Sequence, residues 1–289
     1  MRILFTTDLH GNTRYYDRVC EVAREAEVDV VINGGDMLPK DRDLFEQDQF
    51  ITTHLVRHFS ELGDAGIRYL CYLGNDDLSV FDDLFEETCN RFPLVTNLAQ
   101  RLVEIDGQEF VGMNWVVDYP FRLKDRCRKD TENYLFQPQY GGGLLSTPNG
   151  WKDIPSWPAY AASLPTFEHE LNALTQPQRM GDAIYVIHMP PYGIGLDECW
   201  SGSRVGSHAL ADFLEKNQPR ISLHGHIHES PRVSGKWSAT IGRTTCIQPG
   251  QDPVFTYVII DTRTGDILHQ PTGDLKHGAL ATIMKRAKS

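Results

Sequence analysis

The stretch VDVVINGGD, residues 28–36, is a short apolar run of β-branched residues that stops on two glycines and a carboxylate. Such a run, bounded by Gly and Asp, reads as a buried strand followed by a tight turn. Upstream, residues 13–27 suit a helix with Val19, Val22 and Ala23 on one side, and before it RILFTT is another short apolar run ending in Asp8. Downstream, residues 43–65 read as a longer helix with Phe45, Phe50, Leu55, Phe59 and Leu62 near helical spacing. IRYLCYLG (67–74) is a third strand, and Val80 to Thr88 a short helix. This strand–helix alternation implies parallel strands covered by helices.

Further along, residues 92–113 read as shorter strands, including the hairpin-like LVEIDGQEFVGM. Between about 115 and 180 the texture changes: seven prolines, a GGG run and many aromatic and charged residues with little period until about 166–175. This stretch reads as a cap or elaborate loop inserted into one domain spanning 1–289, its Trp and Tyr residues suited to packing. Regular structure resumes at AIYVIHMPP (183–191), a helix at about 204–217 and ISLHGHIHE (221–229). Residues 231–270 read as short strands, with turns at SGK, QPGQDP and TRTGD, and KHGALATIMKRAKS (276–289) as a basic, solvated terminal helix.

Bulk properties narrow the function classes. The chain has 289 residues, 40% hydrophobic and 23% charged, ordinary for a globular protein. No apolar run reaches the length of a membrane span, and the N-terminus reads as a first strand, not a signal peptide. None of the six cysteines forms a CxxC pair, so they read as reduced thiols in a cytoplasmic protein. A net charge of −11 argues against nucleic-acid binding, which needs a basic face. It leaves room for an anionic substrate, because bound cations reverse the field locally.

Each apolar run ends in a polar cluster: Asp8-Leu9-His10, Gly34-Gly35-Asp36, Gly74-Asn75-Asp76-Asp77, His188, and Gly225-His226-Ile227-His228. Ligands of open α/β sheets bind at the carboxyl ends of strands, so five such ends can converge on one crevice. Carboxylate, imidazole and carboxamide without thiolate suit divalent Mn, Fe, Co, Ni or Zn. If the segment is extended, His226 and His228 point to one side and reach one centre or two adjacent ones.

These motifs, DLH (8–10), GGD (34–36), GNDD (74–77), IHMPP (187–191) and GHIH (225–228), resemble those of the calcineurin-like metallophosphoesterases. The segment HGHIHES with a later QPG is most similar to small prokaryotic phosphoesterases. The resemblance implies an α/β fold, a four-layer αββα sandwich of two mixed β-sheets flanked by helices. It also implies two divalent metal ions. One would take Asp8, His10 and His228, the other Asn75, His188 and His226, with Asp36 bridging. The implied activity is hydrolysis of a small phosphorylated, nucleotide-like diester or anhydride by a metal-bridging hydroxide. Phosphomonoester or phosphoprotein hydrolysis is an alternative, and so is a non-catalytic scaffold. A scaffold would be expected to have lost ligands, whereas all seven expected ligand residues are present.

One position departs from the family pattern. The family keeps His after the Asn of its third motif, to contact phosphate and help protonate the leaving group; here Asp76 stands there. Asp76 is expected either to turn away and accept a bond, or to leave protonation to another group; protonating Asp76 itself is opposed by the nearby metals. Leaving groups that need little protonation are therefore favoured. Asp77 reads as an orienting group or as the N-cap of the helix that follows. Asn12 is a candidate phosphate contact, Tyr192 a candidate pocket residue, and His224 a candidate neighbour of the ligands. Arg204, the basic cluster Arg122, Lys124, Arg126, Arg128 and Lys129, and the pair His54 and His58 read chiefly as surface. His169, His208, His269 and His277 carry no pattern.

Overall fold

The computed structural model describes residues 1–251 and 254–271. The basic end expected as a helix, and the Asp252-Pro253 part of one expected turn, lie outside the described residues. In chain order the strands are β1 (Arg2–Thr6), β2 (Val30–Asn33), β3 (Arg68–Cys71), β4 (Val95–Asn97), β5 (Leu102–Ile105), β6 (Gln108–Met113), β7 (Val116–Val117) and β8 (Cys127–Arg128). They continue with β9 (Gly143–Thr147), β10 (Gly150–Ile154), β11 (Ile184–Ile187), β12 (Ile221–Leu223), β13 (Ser238–Ile241), β14 (Thr244–Ile247), β15 (Thr256–Asp261) and β16 (Ile267–Pro271).

Two six-stranded mixed sheets form, in the orders β16-β15-β1-β2-β3-β4 and β13-β14-β12-β11-β6-β5. In the first, β1, β2, β3 and β4 run parallel. In the second, β6, β11, β12 and β14 do. Strand alternation explains the four layers. Ile3 and Phe5 of β1, with Val30 and Ile32 of β2, meet Ile184 and Val186 of β11 in a core between the sheets. The intervening Leu4 and Val31 pack instead under the helices Thr13–Glu25 and Val56–Asp64. On the far side Tyr185 and Ile187 of β11 pack under Phe167–Ala173 and His208–Asn217. Both faces of the central strands are therefore dry, which is why they read as unbroken apolar runs and not as alternating ones. Layers of helix, sheet, sheet and helix follow, so the fold is the αββα sandwich.

β5 and β6 form the expected hairpin, turned by Asp106 and Gly107, both at positive φ (49° and 80°). That pair of dihedral signs suits the right-handed twist of the two strands. The single helix expected over 43–65 is instead interrupted, with a π-helical turn at Ile51–Leu55 between helical segments. The hydroxyls of Thr52 and Thr53 donate back to the carbonyls of Asp48 and Gln49, competing with the regular ladder there.

Two surface expectations are corrected. In the basic segment only Arg122 is exposed; the other cations are buried and paired. Lys124 bonds Asp118 at 2.7 Å, Arg126 grips Asp82 and the Gly74 carbonyl, Arg128 bonds Glu170 and lies 3.7 Å over the Trp115 ring, and Lys129 bonds Glu132. The segment folds back over the core, so the nearby Asp118 and Glu132 and the distant Asp82 and Glu170 neutralise it. His58 is also buried, packed against Tyr16 and Tyr69, with Nδ1 3.3 Å from Cys20 Sγ and Nε2 without a partner.

Burial, with smaller contributions from His54, Arg57 and Arg24, pushes the His58 pKa down to about 3. Its folded pKa lies below the ordinary 6.5, so the neutral ring's contribution to stability is complete above pH 6.5 and is lost as pH falls toward 3. In denaturant unfolding at pH 7 and pH 5, His58→Phe should lose less stability on acidification than the native chain. The difference should approach roughly 1.4 kcal/mol per pH unit below 6.5. Parallel pH profiles for the two proteins would refute this.

Candidate metal centre and cleft

The five motif loops leave the carboxyl ends of β1, β2, β3, β11 and β12 and meet at the mouth between the two sheets. Their backbone is unusual: Asp8 (φ 54°), His10 (44°), Asp36 (51°) and His226 (68°) all hold the left-handed region. That conformation costs about 1–3 kcal/mol for a residue with a Cβ. It turns the chain back on itself just past β1, β2 and β12. This also corrects the extended-segment argument for GHIH: β12 ends at Leu223, and the left-handed turn at His226 sends the two imidazoles to different neighbours.

Asp8, His10 and Asp36 each offer a donor atom within 4.8 Å of the others. Asn75 Oδ1 lies 2.9 Å from His188 Nε2 and 2.6 Å from His226 Nδ1. Asp36 Oδ2 connects the groups, 3.5 Å from His188 Nε2 and 4.0 Å from His10 Nε2. The His228 ring stands edge-on to His10 at 5.8 Å. The structure thus sets Asp8, His10 and Asp36 around one point and links Asn75, His188 and His226 to Asp36, with the His228 ring beside His10.

Neighbouring groups aim these donors. His188 Nδ1 donates to the Gly34 carbonyl at 2.6 Å, which leaves Nε2 facing Asn75 and Asp36. His224 Nδ1 donates to the carbonyls of Ile187 and Met189, on either side of His188, so His224 supports that loop from behind. Gly74 and Gly225 allow the loops to close up: a Cβ at Gly74 would strike Asp36, and one at Gly225 would strike Thr7 Oγ1 and crowd Asp8 Oδ2. Asp77 is not a helix cap, since Phe81 holds that position. Its buried carboxylate accepts from Met37 N (2.9 Å), Leu38 N (2.8 Å) and Gly74 N (2.7 Å), tying the Asp36 loop to the Asn75 loop. Burial and the Asp36 charge push its pKa up to about 7, against the pull of those three N–H groups.

The residues fit a cation. Asp8 is 2% exposed, its Oδ1 accepts from His226 N at 3.0 Å, and its Oδ2 is buried without a partner. His10 Nδ1 is also buried without one. Burial opposes charge on Asp36, yet His188, His10 and Lys40 hold its carboxyl well below the usual carboxylate range. Burial likewise disfavours a charged His188, but Asp36 outweighs it and lifts the His188 pKa to about 9. A proton on His188 balances the carboxylate where a divalent ion would. Burial, then the charge of His188, pushes His226 down to about 3, keeping that ring a neutral donor.

Asp76 accepts from Lys40 Nζ at 3.1 Å and from Asn75 Nδ2 at 3.0 Å. Lys40 Nζ is also 2.9 Å from His10 Nε2. Burial disfavours charge on Lys40, but the Asp76 and Asp36 carboxylates outweigh it and raise its pKa. Lys40 is a residue the sequence reading missed: it lies in an irregular loop after Asp36 and carries no motif. The centre opens into a cleft of 750 Å³, walled on one side by the 117–123 segment and on another by residues 199–205. Asn12, at the exposed N-cap of helix Thr13–Glu25, does not line it. Tyr192 stacks on His208 outside it, and Arg204 pairs with Glu198 at the surface.

No helix among the described residues is long and apolar enough to cross a membrane. No curated protein matches the chain. One solved structure superposes with TM-score 0.63 at 17% identity, covering 94% of this chain and 99% of its own. TT1561 of Thermus thermophilus superposes with TM-score 0.58 at 17% identity, covering 93% and 98%. GAP50, the anchor in the inner membrane complex of Plasmodium, does so with TM-score 0.50 at 9% identity, covering 100% and 94%. At these identities the likeness is one of fold. The family model for calcineurin-like phosphoesterase matches residues 1–230, with all five motif loops inside the match, and the chain belongs to that family.

Proposed function

We propose that the chain is a hydrolase of small phosphodiesters or phosphoanhydrides that depends on two divalent metal ions. The observation that carries this reading is the cluster of Asp8, His10 and Asp36, the first two with buried atoms that have no hydrogen-bond partner, beside a cleft large enough for a small ligand. Asp8, His10 and His228 would hold one ion, and Asn75, His188 and His226 the other, with Asp36 shared. Bound ions of this kind polarise a phosphoryl group and acidify water.

The chain's own residues do the rest. His188 is fixed by its bond to Gly34, and the Asp36 and Asn75 loops are locked together by Asp77. Lys40 brings a positive charge to the cleft wall, where it can attract a phosphate oxygen. Asp76, tied to Lys40 and Asn75, carries no imidazole proton to a leaving group. This favours diesters and anhydrides whose leaving groups depart with little protonation.

The test is to load metal-free protein separately with Mn, Zn, Fe or Ni and assay phosphomonoesters, diesters and pyrophosphates. Turnover that requires metal and prefers diesters or anhydrides is expected; none on any substrate would defeat the proposal. Asp76→His should raise the rate on a diester with a poor leaving group by about tenfold or more, less than the roughly 10²–10⁴-fold of a fully positioned proton donor. A rate equal to the native chain's would count against this assignment of position 76.

A further inference from the structure

The cleft has an aromatic outer half that metal chemistry does not require. From the donor cluster outward the rings run His226 to Tyr119 (5.8 Å), Tyr119 to Phe121 (5.9 Å) and Phe121 to Tyr140 (5.5 Å). Phe121 is 62% exposed and Tyr140 70%, yet both line the cleft, as does Trp200 at 57%. Arg232 backs the Trp200 ring at 5.4 Å.

These exposed rings stand on a stiff frame. Asp118 Oδ1 accepts from Lys124 Nζ and from Trp157 Nε1, both at 2.7 Å, and its Oδ2 accepts from Gln139 Nε2 at 3.0 Å. Tyr119 OH donates to the Leu123 carbonyl at 2.8 Å, and Tyr140 N donates to the Pro120 carbonyl at 2.9 Å. A buried ion pair and an indole thus fix the backbone that displays Tyr119, Phe121 and Tyr140. Rings held open to water along one path toward a metal-type centre are a stacking platform.

We propose that this outer half is a stacking subsite for a planar heteroaromatic group, a nucleobase, attached to the phosphoester. This rests on the phosphoesterase reading for the other end of the ligand. Phosphate would sit at the donor cluster and Lys40, and the base among Phe121, Tyr140 and Trp200. Gln137, whose exposed side chain belongs to the same lining, offers a carboxamide to the base edge. The cleft volume, 750 Å³, is that of a small-molecule site and suits one nucleotide better than a protein partner.

AMP and ribose 5-phosphate share sugar and phosphate and differ by the base. Titration calorimetry of Mn-loaded protein should show AMP binding tighter by roughly tenfold, the range of one base–aromatic stack. Phe121→Ala and Tyr140→Ala, both at exposed positions, should each bring the two affinities closer by weakening AMP alone. Equal affinities in the native chain, or an AMP preference that survives both substitutions, would overturn the subsite while leaving the phosphoesterase reading in place. If neither compound binds, the subsite is overturned, and the phosphoesterase reading still stands or falls on the metal-dependent turnover assay above.

Discussion

Asp36→Asn is expected to lower metal-dependent turnover by more than about a hundredfold, because even groups that only orient a metal ligand cost roughly 10–100-fold when removed. Asp36 is 2% exposed and sits between His188 and His10, and its Oδ1 accepts from Asp76 N at 2.8 Å. Asn keeps the volume and one acceptor oxygen, so the fold should persist. What it removes is the negative charge that would be shared by two cations. Elemental analysis after loading and dialysis should show metal lost along with activity. A variant that keeps both full metal content and native turnover would show that Asp36 is not the shared ligand.

The largest loss of stability is expected from Asp77→Ala. Its carboxylate is fully buried and accepts three backbone N–H bonds from two different loops. Alanine leaves three buried donors without partners, at about 1–3 kcal/mol each, so a total of roughly 3–9 kcal/mol is expected. That is a large share of the 5–15 kcal/mol typical of a domain. The unfolding midpoint in urea at neutral pH measures it, and a loss below about 1 kcal/mol would mean that water replaces the carboxylate. Because Asp77 ties the loop of Asp36 to the loop of Asn75, metal affinity should fall in any of this variant that remains folded. Asp77→Asn, which keeps an acceptor oxygen, should be milder in both respects.

Much of this site is legible in one dimension because its chemistry is local to strand ends. Apolar runs such as RILFTT and VDVVING can be buried on both faces only as central strands, and Asp8, Asp36, Asn75, His188 and His226 follow such runs closely. Other features are not local. Asp77 looked like a helix cap because a helix follows it in sequence, but its hydrogen bonds reach back 40 residues to Met37. Arg126 and Arg128 looked solvated because their acids, Asp82 and Glu170, lie more than 40 residues away in the chain. His54 and His58 looked like surface residues because their spacing alone does not say which side of the helix packs against Tyr16 and Tyr69.

By itself, then, the sequence determined that parallel strands are covered by helices and that candidate donors stand at their ends, since both follow from short-range pattern: apolar length, glycine placement and the residue types at strand ends; the sandwich and the two-ion ligand set are what the family resemblance implied. Only the tertiary structure decided how those donors are aimed, through left-handed turns at Asp8, His10, Asp36 and His226 and through clamps such as Asp77. It alone paired Lys40 with Asp76 across 36 residues and set Phe121 and Tyr140 on one wall of the cleft. The reason is physical: a hydrogen bond or a ring stack depends on separations of a few ångströms, and for residues far apart in the chain only the folded backbone sets those separations.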